Sequence, residues 1–482
     1  MAATEHLHVV YVLPSRYDDD GYPRRYWRGL LPSNTLCCLR DVTRRVAERK
    51  TLGDQVDVTV EILDENVQRV PVERIVRRAR KRGRRLLVGL AGVQSNMFAR
   101  ASDLALQFRE LGAQVLVGGF HVSGVLKLFN EPTHELRRLL DAGVTLVQGE
   151  VDGPGTLANI LRDALAKRLR PIYRAEEAPA LEHAPLPVPD AAYQKRFMES
   201  MGTIDTSRGC PFNCSFCTII NVQGRKMRSR SAEQMLEHIE RNHDRGFTTY
   251  FFTDDNLSRS PVWEPLFDGL AAMRQRGKTV RFMMQIDTQA WRIPRFMEKA
   301  AAAGCYLVFI GMESVNPANL EAVGKKQNKV DQYARMVEAW RHAGILVHVG
   351  YIIGLPFDTP DSVRRDVALL KDAMKVDETS FFMLTPLPGS RDHYDMIRSG
   401  TPLDADLNNY DSLHETFRHP NFKPGEWRAT YREAWQSFYS KENLVNILLR
   451  ASARQYWSIF WLSVWNRYCT MHDSHPMFMG FF

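Results

Sequence analysis

Two stretches of alternating strand-like and helix-like patterns constrain the fold of this 482-residue chain more than any other feature of its sequence. The first stretch spans residues 1–167, where apolar runs such as VDVTVEILDE and QVLVGGF are separated by helical segments. Near-continuous β-branched runs that are bounded by glycines and separated by helices are typical of a parallel sheet covered on both faces. Residues 1–167 are therefore predicted to form an α/β domain with a doubly wound, Rossmann-like sheet.

A second alternation follows a segment rich in proline. Residues 168–195 have no periodicity and are predicted to be an extended linker. Residues 196–400 contain six strand-like runs that alternate with helical segments. This pattern predicts a partial (β/α)6 TIM-type barrel, whose active site would lie at the carboxyl ends of its strands.

The last part of the chain, residues 401–482, is rich in aromatic residues and is predicted to form a small, mainly helical region. Trp457, Trp461 and Trp465 recur there at helical spacing. That spacing predicts core packing, with contact to a flat or apolar substrate as the alternative.

Composition and charge restrict the functional class. Hydrophobic residues make up 44% of the chain and charged residues 25%, which indicates a globular protein. The apolar run at residues 456–465 is too short to cross a membrane, and the first residues lack the pattern of a signal peptide. The seven cysteines, an odd number, indicate a reducing compartment, so we expect a cytoplasmic protein. The net charge of +8 is dispersed and lacks interleaved aromatics, which argues against a nucleic-acid partner.

Three cysteines form the motif that carries the most chemical information. Cys210, Cys214 and Cys217 lie in SRGCPFNCSFCTI, with the spacing C-x3-C-x2-C, directly after the first predicted barrel strand. Cysteine thiolates ligate four-iron clusters, and three ligands leave one iron open to a small-molecule cofactor. The alternative is a zinc site with His243 or Cys305 as the fourth ligand. The cysteine spacing and the strand-end position favour iron.

With Phe216 directly before the third cysteine, the motif resembles the signature of the radical S-adenosylmethionine (SAM) superfamily. The resemblance implies a [4Fe-4S] cluster on Cys210, Cys214 and Cys217. In this family the reduced cluster passes an electron to the sulfonium of SAM, which yields methionine and a 5'-deoxyadenosyl radical. The resemblance also implies an external electron donor such as flavodoxin or ferredoxin.

Further motifs at successive strand ends resemble the SAM-binding segments of this family. FFTDDN resembles the segment that binds the methionine amino group, GMES the segment that contacts ribose and methionine, and GYIIGLP the strand that packs against adenine. The residues implied to bind SAM are Phe216, Asp254, Asp255, Gly311, Glu313, Ser314, Gly350, Ile352 and Gly354. Arg228 and Arg230 are candidates to pair with the carboxylate of SAM, with solvated arginines as the alternative.

The first domain resembles the cobalamin (B12)-binding domain that precedes the radical SAM barrel in one large subgroup. The residues implied to contact cobalamin are Ser95, Gly118, Gly119, His121, Gly149 and Glu150. Gly118, Gly119 and Gly124 would let the backbone approach a corrin ring closely. The motif D-x-H-x-x-G, whose histidine ligates cobalt in other cobalamin enzymes, is absent, so His121 is not assigned as an axial ligand. The alternative is a domain that has kept this topology without binding corrin.

The order of the two domains implies a cobalamin-dependent radical SAM methyltransferase that acts on an unactivated carbon of a small-molecule substrate. A radical SAM enzyme of another type, catalysing cyclisation, rearrangement or aminocarboxypropyl transfer, is the alternative within the enzyme class. The non-enzyme alternative is an iron-sulfur or zinc module that binds nucleic acid. Substrate identity and further catalytic residues are not assigned.

Overall fold

The computed structural model describes residues 5–153, 155–175, 178–182, 184–188, 190–197, 201–453, 455–472 and 475–476. The strands within these residues are β1 (Glu5–Leu13), β2 (Val56–Asp64), β3 (Arg85–Leu90), β4 (Gln114–Gly118), β5 (Thr145–Gln148), β6 (Ile172–Arg174), β7 (Met201–Ile204), β8 (Ser207–Arg208), β9 (Arg228–Ser229), β10 (Thr249–Phe252), β11 (Arg281–Ile286), β12 (Cys305–Glu313), β13 (Leu346–Ile353) and β14 (Glu378–Met383). The helices are α1 (Asn34–Glu48), α2 (Val72–Lys81), α3 (Phe98–Glu110), α4 (Phe120–Phe129), α5 (His134–Asp141), α6 (Thr156–Leu165), α7 (Ala191–Gln194), α8 (Ile219–Val222), α9 (Ala232–His243), α10 (Trp263–Gln275), α11 (Phe296–Ala303), α12 (Pro317–Ala322), α13 (Tyr333–His342), α14 (Pro360–Ala368), α15 (Arg391–Arg398), α16 (Glu426–Phe438), α17 (Lys441–Arg450) and α18 (Tyr456–Met471).

The first sheet is parallel throughout and has the strand order β2-β1-β3-β4-β5-β6. Alternate residues of β1 enter two hydrophobic clusters: Val9 and Tyr11 pack against α1 and α6, and Val10 and Val12 against α2 to α5. Helices therefore cover both faces, and the predicted doubly wound sheet is confirmed. Open sheets of this kind bind ligands at the carboxyl ends of the strands, near the point where strand order reverses, which here lies between β1 and β3.

The second large sheet is also parallel and has the order β14-β13-β12-β11-β10-β7. Side chains alternate between the interior and the surrounding helices. Tyr351 of β13, for example, points outward and donates a hydrogen bond to Asp366 of α14 at 2.5 Å. The predicted partial barrel is confirmed, and the cysteine motif follows the carboxyl end of its first strand, β7.

Part of the predicted linker, residues 168–195, packs on the first sheet. Strand β6 pairs with β5 at the edge of that sheet. Tyr193 and Phe197 are buried in the cluster that contains β1, and Tyr193 donates a hydrogen bond to Asp64 at 2.7 Å. This segment is attached to the first sheet by one short strand and a few single side chains, which give no periodic pattern in the sequence. Its proline-rich composition therefore suggested a linker.

The C-terminal helices pack on the open side of the barrel. Trp427 and Trp435 of α16 are buried against the core of β13 and β14. Trp457 and Trp461 of α18 are instead 65% and 63% exposed, so the predicted core packing is wrong for these two residues. Trp465 is partly buried against Tyr26. No helix in the described part of the chain is long and apolar enough to cross a membrane.

Candidate active site

The loop that carries the three cysteines, residues 209–217, starts from a two-stranded antiparallel ribbon. This ribbon pairs β8 with β9, so that Arg208 lies opposite Arg228. The amide of Cys210 donates to the carbonyl of Gly224 at 3.2 Å, and the amide of Gly209 donates to the side chain of Gln223 at 3.2 Å. The backbone of this cysteine loop is thus held before any metal binds.

The three thiols are free, and Cys214 is close enough to Cys210 and Cys217 for its charge to act on both. Burial raises the pKa of each, that of Cys217 to about 12, and Cys214 raises the pKa of both neighbours further through charge repulsion. Thiols that are buried in this way ionise only when positive charge lies near them. The irons of a bound cluster would supply such charge, and so does the ammonium group of Lys325. Lys325 lowers the pKa of Cys214 against the effect of burial.

Lys325 is a site residue that the sequence did not reveal. Its ammonium pairs with the carboxylate of Glu313 and lies 5.8 Å from the ring centre of Phe216. Gln327 adds a long contact from its Nε2 to the Sγ of Cys214, at 3.9 Å. Both residues sit on the turn after α12, so the strand-end motif GMES and the cysteine loop meet through this turn. Only the tertiary structure distinguishes Lys325 from the exposed lysines around it.

The positions of its proposed fourth ligands do not favour the zinc alternative. Cys305 opens β12, and His243 closes α9, which leads into β10. Both residues therefore lie at the amino ends of the strands, opposite the cysteine loop. Among the described residues, no three His, Cys, Asp or Glu side chains are close enough to share one metal ion. In a four-iron cluster each thiolate binds a different iron, so three cysteine ligands need not converge on one ion.

The acidic pair after β10 divides into two different environments. Asp254 is fully buried, and its oxygens accept hydrogen bonds from the amide and hydroxyl of Thr206 and from the hydroxyl of Ser207, at 2.9, 2.6 and 2.5 Å. Asp255 instead lines the cavity described below. Burial, reinforced by the charge of Asp254, raises the pKa of Asp255 to about 7. Asp255 is the better placed of the two to receive a cationic group.

The predicted SAM residues on β12 lie next to the cysteine loop. Glu313 adopts a φ of +63° and pairs with Lys325 beside Cys214. A side chain at Gly311 would contact both Glu313 and Lys325. Ser314 is buried, and its hydroxyl accepts the amide of Asn316 at 3.0 Å, which shapes the turn into α12.

The predicted SAM residues on β13 include one glycine with a clear packing role. Gly350 and Ile352 are buried on the interior face of the strand. Gly354 has a φ of +102°, and a Cβ there would lie 2.1 Å from the indole of Trp427. The indole N–H of Trp427 donates to the carbonyl of Ile353 at 3.0 Å. Gly354 thus makes room for α16, in addition to any contact with adenine.

A cavity of about 540 Å³ lies between the carboxyl edge of the first sheet and the mouth of the barrel, and we call it the interdomain cavity. Its volume is within the range of small-molecule sites. All six residues that were predicted to contact cobalamin line it: Ser95, Gly118, Gly119, His121, Gly149 and Glu150. Barrel residues Arg208, Thr218 and Asp255 form the opposite wall.

Two glycines of the first domain serve backbone packing. A Cβ at Gly119 would lie 2.2 Å from the amide nitrogen of Val93, so the loops after β3 and β4 cross closely there. Gly124 of α4 packs on Gly389 of the barrel, where an added Cβ would lie 2.6 Å from the Gly389 Cα. The predicted role of Gly124 in admitting a corrin ring is replaced by this contact between the domains.

His121 offers an unsatisfied polar atom at the wall of the cavity. Its Nδ1 is 3.1 Å from the hydroxyl of Ser95, while its Nε2 has no hydrogen-bond partner among the described residues. Burial lowers the pKa of His121 to about 3, so the imidazole is neutral. A bound polar ligand would satisfy this nitrogen, which fits a cofactor rich in amide groups.

Arg228 and Arg230 are engaged in ion pairs and are not solvated. Arg228 makes two hydrogen bonds to Glu150, at 2.5 and 3.0 Å. Arg230 is fully buried and pairs with Asp205 at 3.0 Å. Arg208, another residue that the sequence did not reveal, pairs with Glu150 at 2.6 Å. The carboxylate predicted to contact cobalamin is therefore already engaged by two arginines.

Comparison with known proteins agrees with this geometry. Residues 204–370 match the family model of the radical SAM superfamily. The chain therefore contains a domain that matches the radical SAM superfamily. The matched residues run from the end of β7 to just beyond α14 and include the cysteine loop.

Similarity to known proteins extends beyond the matched residues. The chain is similar to the bacteriochlorophyllide d C-8(2)-methyltransferase of Chlorobaculum tepidum, with 27% identity over 72% of this chain and 77% of the relative. It is 24% identical to the C-12(1)-methyltransferase of the same organism, over 64% of each chain. The structure of the radical SAM methyltransferase TsrM from Kitasatospora setae, with cobalamin and a [4Fe-4S] cluster bound, superposes with a TM-score of 0.67 at 16% identity and covers 97% of this chain and 100% of that one. The last similarity shows that the whole two-domain fold is shared.

Proposed function

We propose that this protein is a cobalamin-dependent radical SAM methyltransferase that acts on an unactivated carbon of a small molecule. The observation that carries the proposal is the interdomain cavity, which joins the predicted cobalamin residues to the mouth of the radical SAM barrel. The curated relatives, whose names describe methyltransferases, support methyl transfer over cyclisation or rearrangement. An iron-sulfur or zinc module that binds nucleic acid would have no need of a cavity between the two domains, so this cavity does not favour that alternative.

Each group of residues has a defined part in the proposal. Cys210, Cys214 and Cys217 hold the cluster, which when bound to SAM supplies a 5'-deoxyadenosyl radical. Lys325 balances the negative charge of the thiolates and orients Glu313. Asp255 receives the ammonium group of SAM, since it lines the cavity on the barrel side and its neighbour Asp254 does not. The loops after β3, β4 and β5 hold cobalamin at the opposite wall.

We also propose an external electron donor for the cluster and a cytoplasmic location for the protein. The cluster requires an external one-electron donor such as flavodoxin or ferredoxin. All seven cysteines are free thiols, as a reducing compartment requires, which supports a cytoplasmic location.

Anaerobic reconstitution tests the cluster assignment. The wild-type protein is expected to bind four irons, and Cys214→Ala to lose the cluster because two thiolates cannot hold it. Cys305→Ala is the matched control, since Cys305 is a buried free thiol at the amino end of β12. Iron content and the paramagnetic spectrum of the reduced protein are the measurements. An intact cluster in Cys214→Ala would overturn the assignment.

Titration with hydroxocobalamin tests the methyltransferase proposal. Binding is expected to give a stoichiometric complex on gel filtration, with an absorbance spectrum that His121→Ala leaves nearly unchanged. Absence of binding, combined with formation of 5'-deoxyadenosine from SAM, would replace the proposal with radical chemistry that does not use cobalamin.

A further inference from the structure

Six charged side chains form a continuous, branched network of ion pairs between the two domains. Arg208, Arg228 and Arg230 provide three positive charges, and Glu150, Asp152 and Asp205 provide three negative ones. Their contacts are Arg208–Glu150 at 2.6 Å, Arg208–Asp152 at 2.7 Å, Arg208–Asp205 at 2.8 Å, Arg228–Glu150 at 2.5 Å and Arg230–Asp205 at 3.0 Å. The side chains in the network are at most 13% exposed. Charges this deeply buried interact strongly and hold their geometry.

Arg208 is the centre of the network because it contacts a carboxylate on each side of the interface. Glu150 and Asp152 belong to the loop after β5 in the first domain, and Asp205 to the segment after β7 in the barrel. One guanidinium fork thereby joins the two domains. A lysine in its place would offer one compact charge in place of a planar fork with several donors.

The network continues directly into the cysteine loop. Arg208 and Arg228 are opposite each other in the ribbon of β8 and β9. Gly209 and Cys210 follow Arg208 in the chain, and the carbonyl of Gly224, just before β9, accepts the amide of Cys210. A displacement of Glu150 or Asp152 would therefore move Arg208, which lies two residues before the first cluster ligand.

The same network also forms part of the cavity wall. Glu150, Asp152, Asp205 and Arg208 all line the interdomain cavity. A ligand in the cavity contacts carboxylates whose partners hold the cysteine loop. The two predicted cofactor sites thus share one set of ion pairs, which is a contiguous physical route for coupling between them.

We propose that Arg208 is a positioning residue whose ion pairs with Glu150 and Asp152 couple occupancy of the cobalamin site to the binding of SAM at the cluster. The proposal rests on the function proposed above. Coupling of this kind is reciprocal, so cobalamin should tighten SAM binding by the same factor by which SAM tightens cobalamin binding.

The test measures SAM affinity in the reconstituted full-length protein, with and without saturating hydroxocobalamin. For the wild type, we expect SAM to bind at least about 5-fold more tightly when cobalamin is present, the lower end of typical coupling factors. In the double variant E150Q/D152N, both cofactors should still bind at saturation, but the ratio should fall to about 1, since the ion pairs across the interface are gone. With excess dithionite, which converts the added cobalamin to cob(II)alamin and keeps the cluster reduced, addition of cobalamin without SAM should shift the signal of the reduced cluster in the wild type and not in the double variant.

Two further variants keep the test decisive. R208K retains the charge but loses the fork, so its ratio should lie between those of the wild type and the double variant, and it replaces the double variant if that protein does not fold. D377N breaks the ion pair of Asp377 with Arg341, at 3.3 Å near the amino ends of the strands, and should keep the wild-type ratio.

A wild-type ratio of 1, or an unchanged ratio in E150Q/D152N and R208K, would overturn the coupling proposal while leaving the proposed function intact. Failure of the wild type to bind hydroxocobalamin would instead overturn the proposed function.

Discussion

At the scale of single residues, neighbouring side chains with the same chemistry take different roles because strands alternate their faces. Phe252 and Asp254 point toward the buried core on one side of β10 and its extension, and Thr253 and Asp255 line the interdomain cavity on the other. The sequence motif FFTDDN showed only that Asp254 and Asp255 are both acidic, and it did not distinguish their roles. We therefore propose that Asp254 supports the segment before the cysteine loop and that Asp255 contacts the ligand.

This division predicts separate effects of two isosteric substitutions. Asp255→Asn is expected to weaken SAM binding by roughly 10- to 100-fold, because a charge-assisted hydrogen bond contributes about 1.5–3 kcal/mol, and to leave iron content unchanged. Asp254→Asn should instead lower the free energy of unfolding by a similar amount, since it weakens the contacts with Thr206 and Ser207. Equilibrium dialysis, iron analysis and urea unfolding measure these quantities. Loss of SAM affinity in the Asp254 variant alone would contradict the assignment.

A second residue-scale prediction concerns Glu378 inside the barrel. Glu378 is 1% exposed, and burial, reinforced by Asp377, raises its pKa to about 8. The native state therefore holds a proton between about pH 4.5 and 8 that the unfolded chain has released. Because the native state binds more protons in that window, stability falls as the pH rises, by about 1.4 kcal/mol per pH unit from this group.

Glu378→Gln should remove that loss of stability. The free energy of unfolding of the variant, relative to the wild type, is expected to increase steadily from pH 5 to pH 8 in urea titrations. Glu442→Gln, at an exposed position on α17, is the control and should show no such trend. A difference between Glu378→Gln and the wild type that does not vary with pH would show that Glu378 is ionised in the native state.

At the scale of elements, the edge of β14 shows how a partial barrel avoids exposing unpaired backbone. An open strand edge presents amide and carbonyl groups that invite pairing with another chain. Here the hydroxyl of Tyr439, at the end of α16, lies 3.2 Å from the amide nitrogen of Thr379 and donates to its carbonyl at 2.8 Å. The amide of Met383 donates to the carbonyl of Ser412 at 2.8 Å. The C-terminal region therefore completes the sheet.

Removal of this one hydroxyl tests the role of the C-terminal region. Tyr439→Phe is expected to lower the free energy of unfolding by about 1–3 kcal/mol, because it leaves buried backbone groups of Thr379 unpaired. Tyr456→Phe, at a residue that is 39% exposed on α18, should change stability little. Chemical denaturation of both variants provides the comparison. Equal effects of the two substitutions would contradict the structural role given to Tyr439.

At the scale of the whole molecule, the first domain extends beyond the boundary that the sequence suggested. Strand β6, Tyr193 and Phe197 complete the first sheet and its core. A ligand site between the two domains requires both walls to be stable, so this segment supports the cavity even though it does not line it. We propose residue 197 as the end of the first domain.

Two truncated chains test this boundary. A chain that ends at residue 167 is expected to be less stable than one that ends at residue 197 by roughly 3 kcal/mol or more, since burial of two aromatic side chains contributes about 1.5–3 kcal/mol each. Urea midpoints measured by circular dichroism make the comparison. Equal midpoints would mean that the first sheet does not depend on its last strand.

The sequence by itself determined that the chain has two parallel sheets, which of them comes first along the chain, and where the cysteine motif lies. These features depend on periodic hydrophobicity and on fixed spacing, which are local properties that a chain expresses in every context. The strands from β1 to β5 and from β10 to β14 follow directly from their apolar runs. For the same reason, the residues at strand ends could be collected into two candidate sites before their distances were known.

Only the tertiary structure decided which of those residues share a site and which serve packing. Lys325 and Arg208 look like ordinary surface cations in the sequence, and Gly124 and Gly354 look like ligand-binding glycines. Folding places Lys325 beside Cys214 and Arg208 between three carboxylates, and it fills the space at Gly124 and Gly354 with Gly389 and Trp427. The physical reason is that these roles depend on partners far apart in the chain, whose approach is set by the packing of one domain against another and leaves no mark in local spacing.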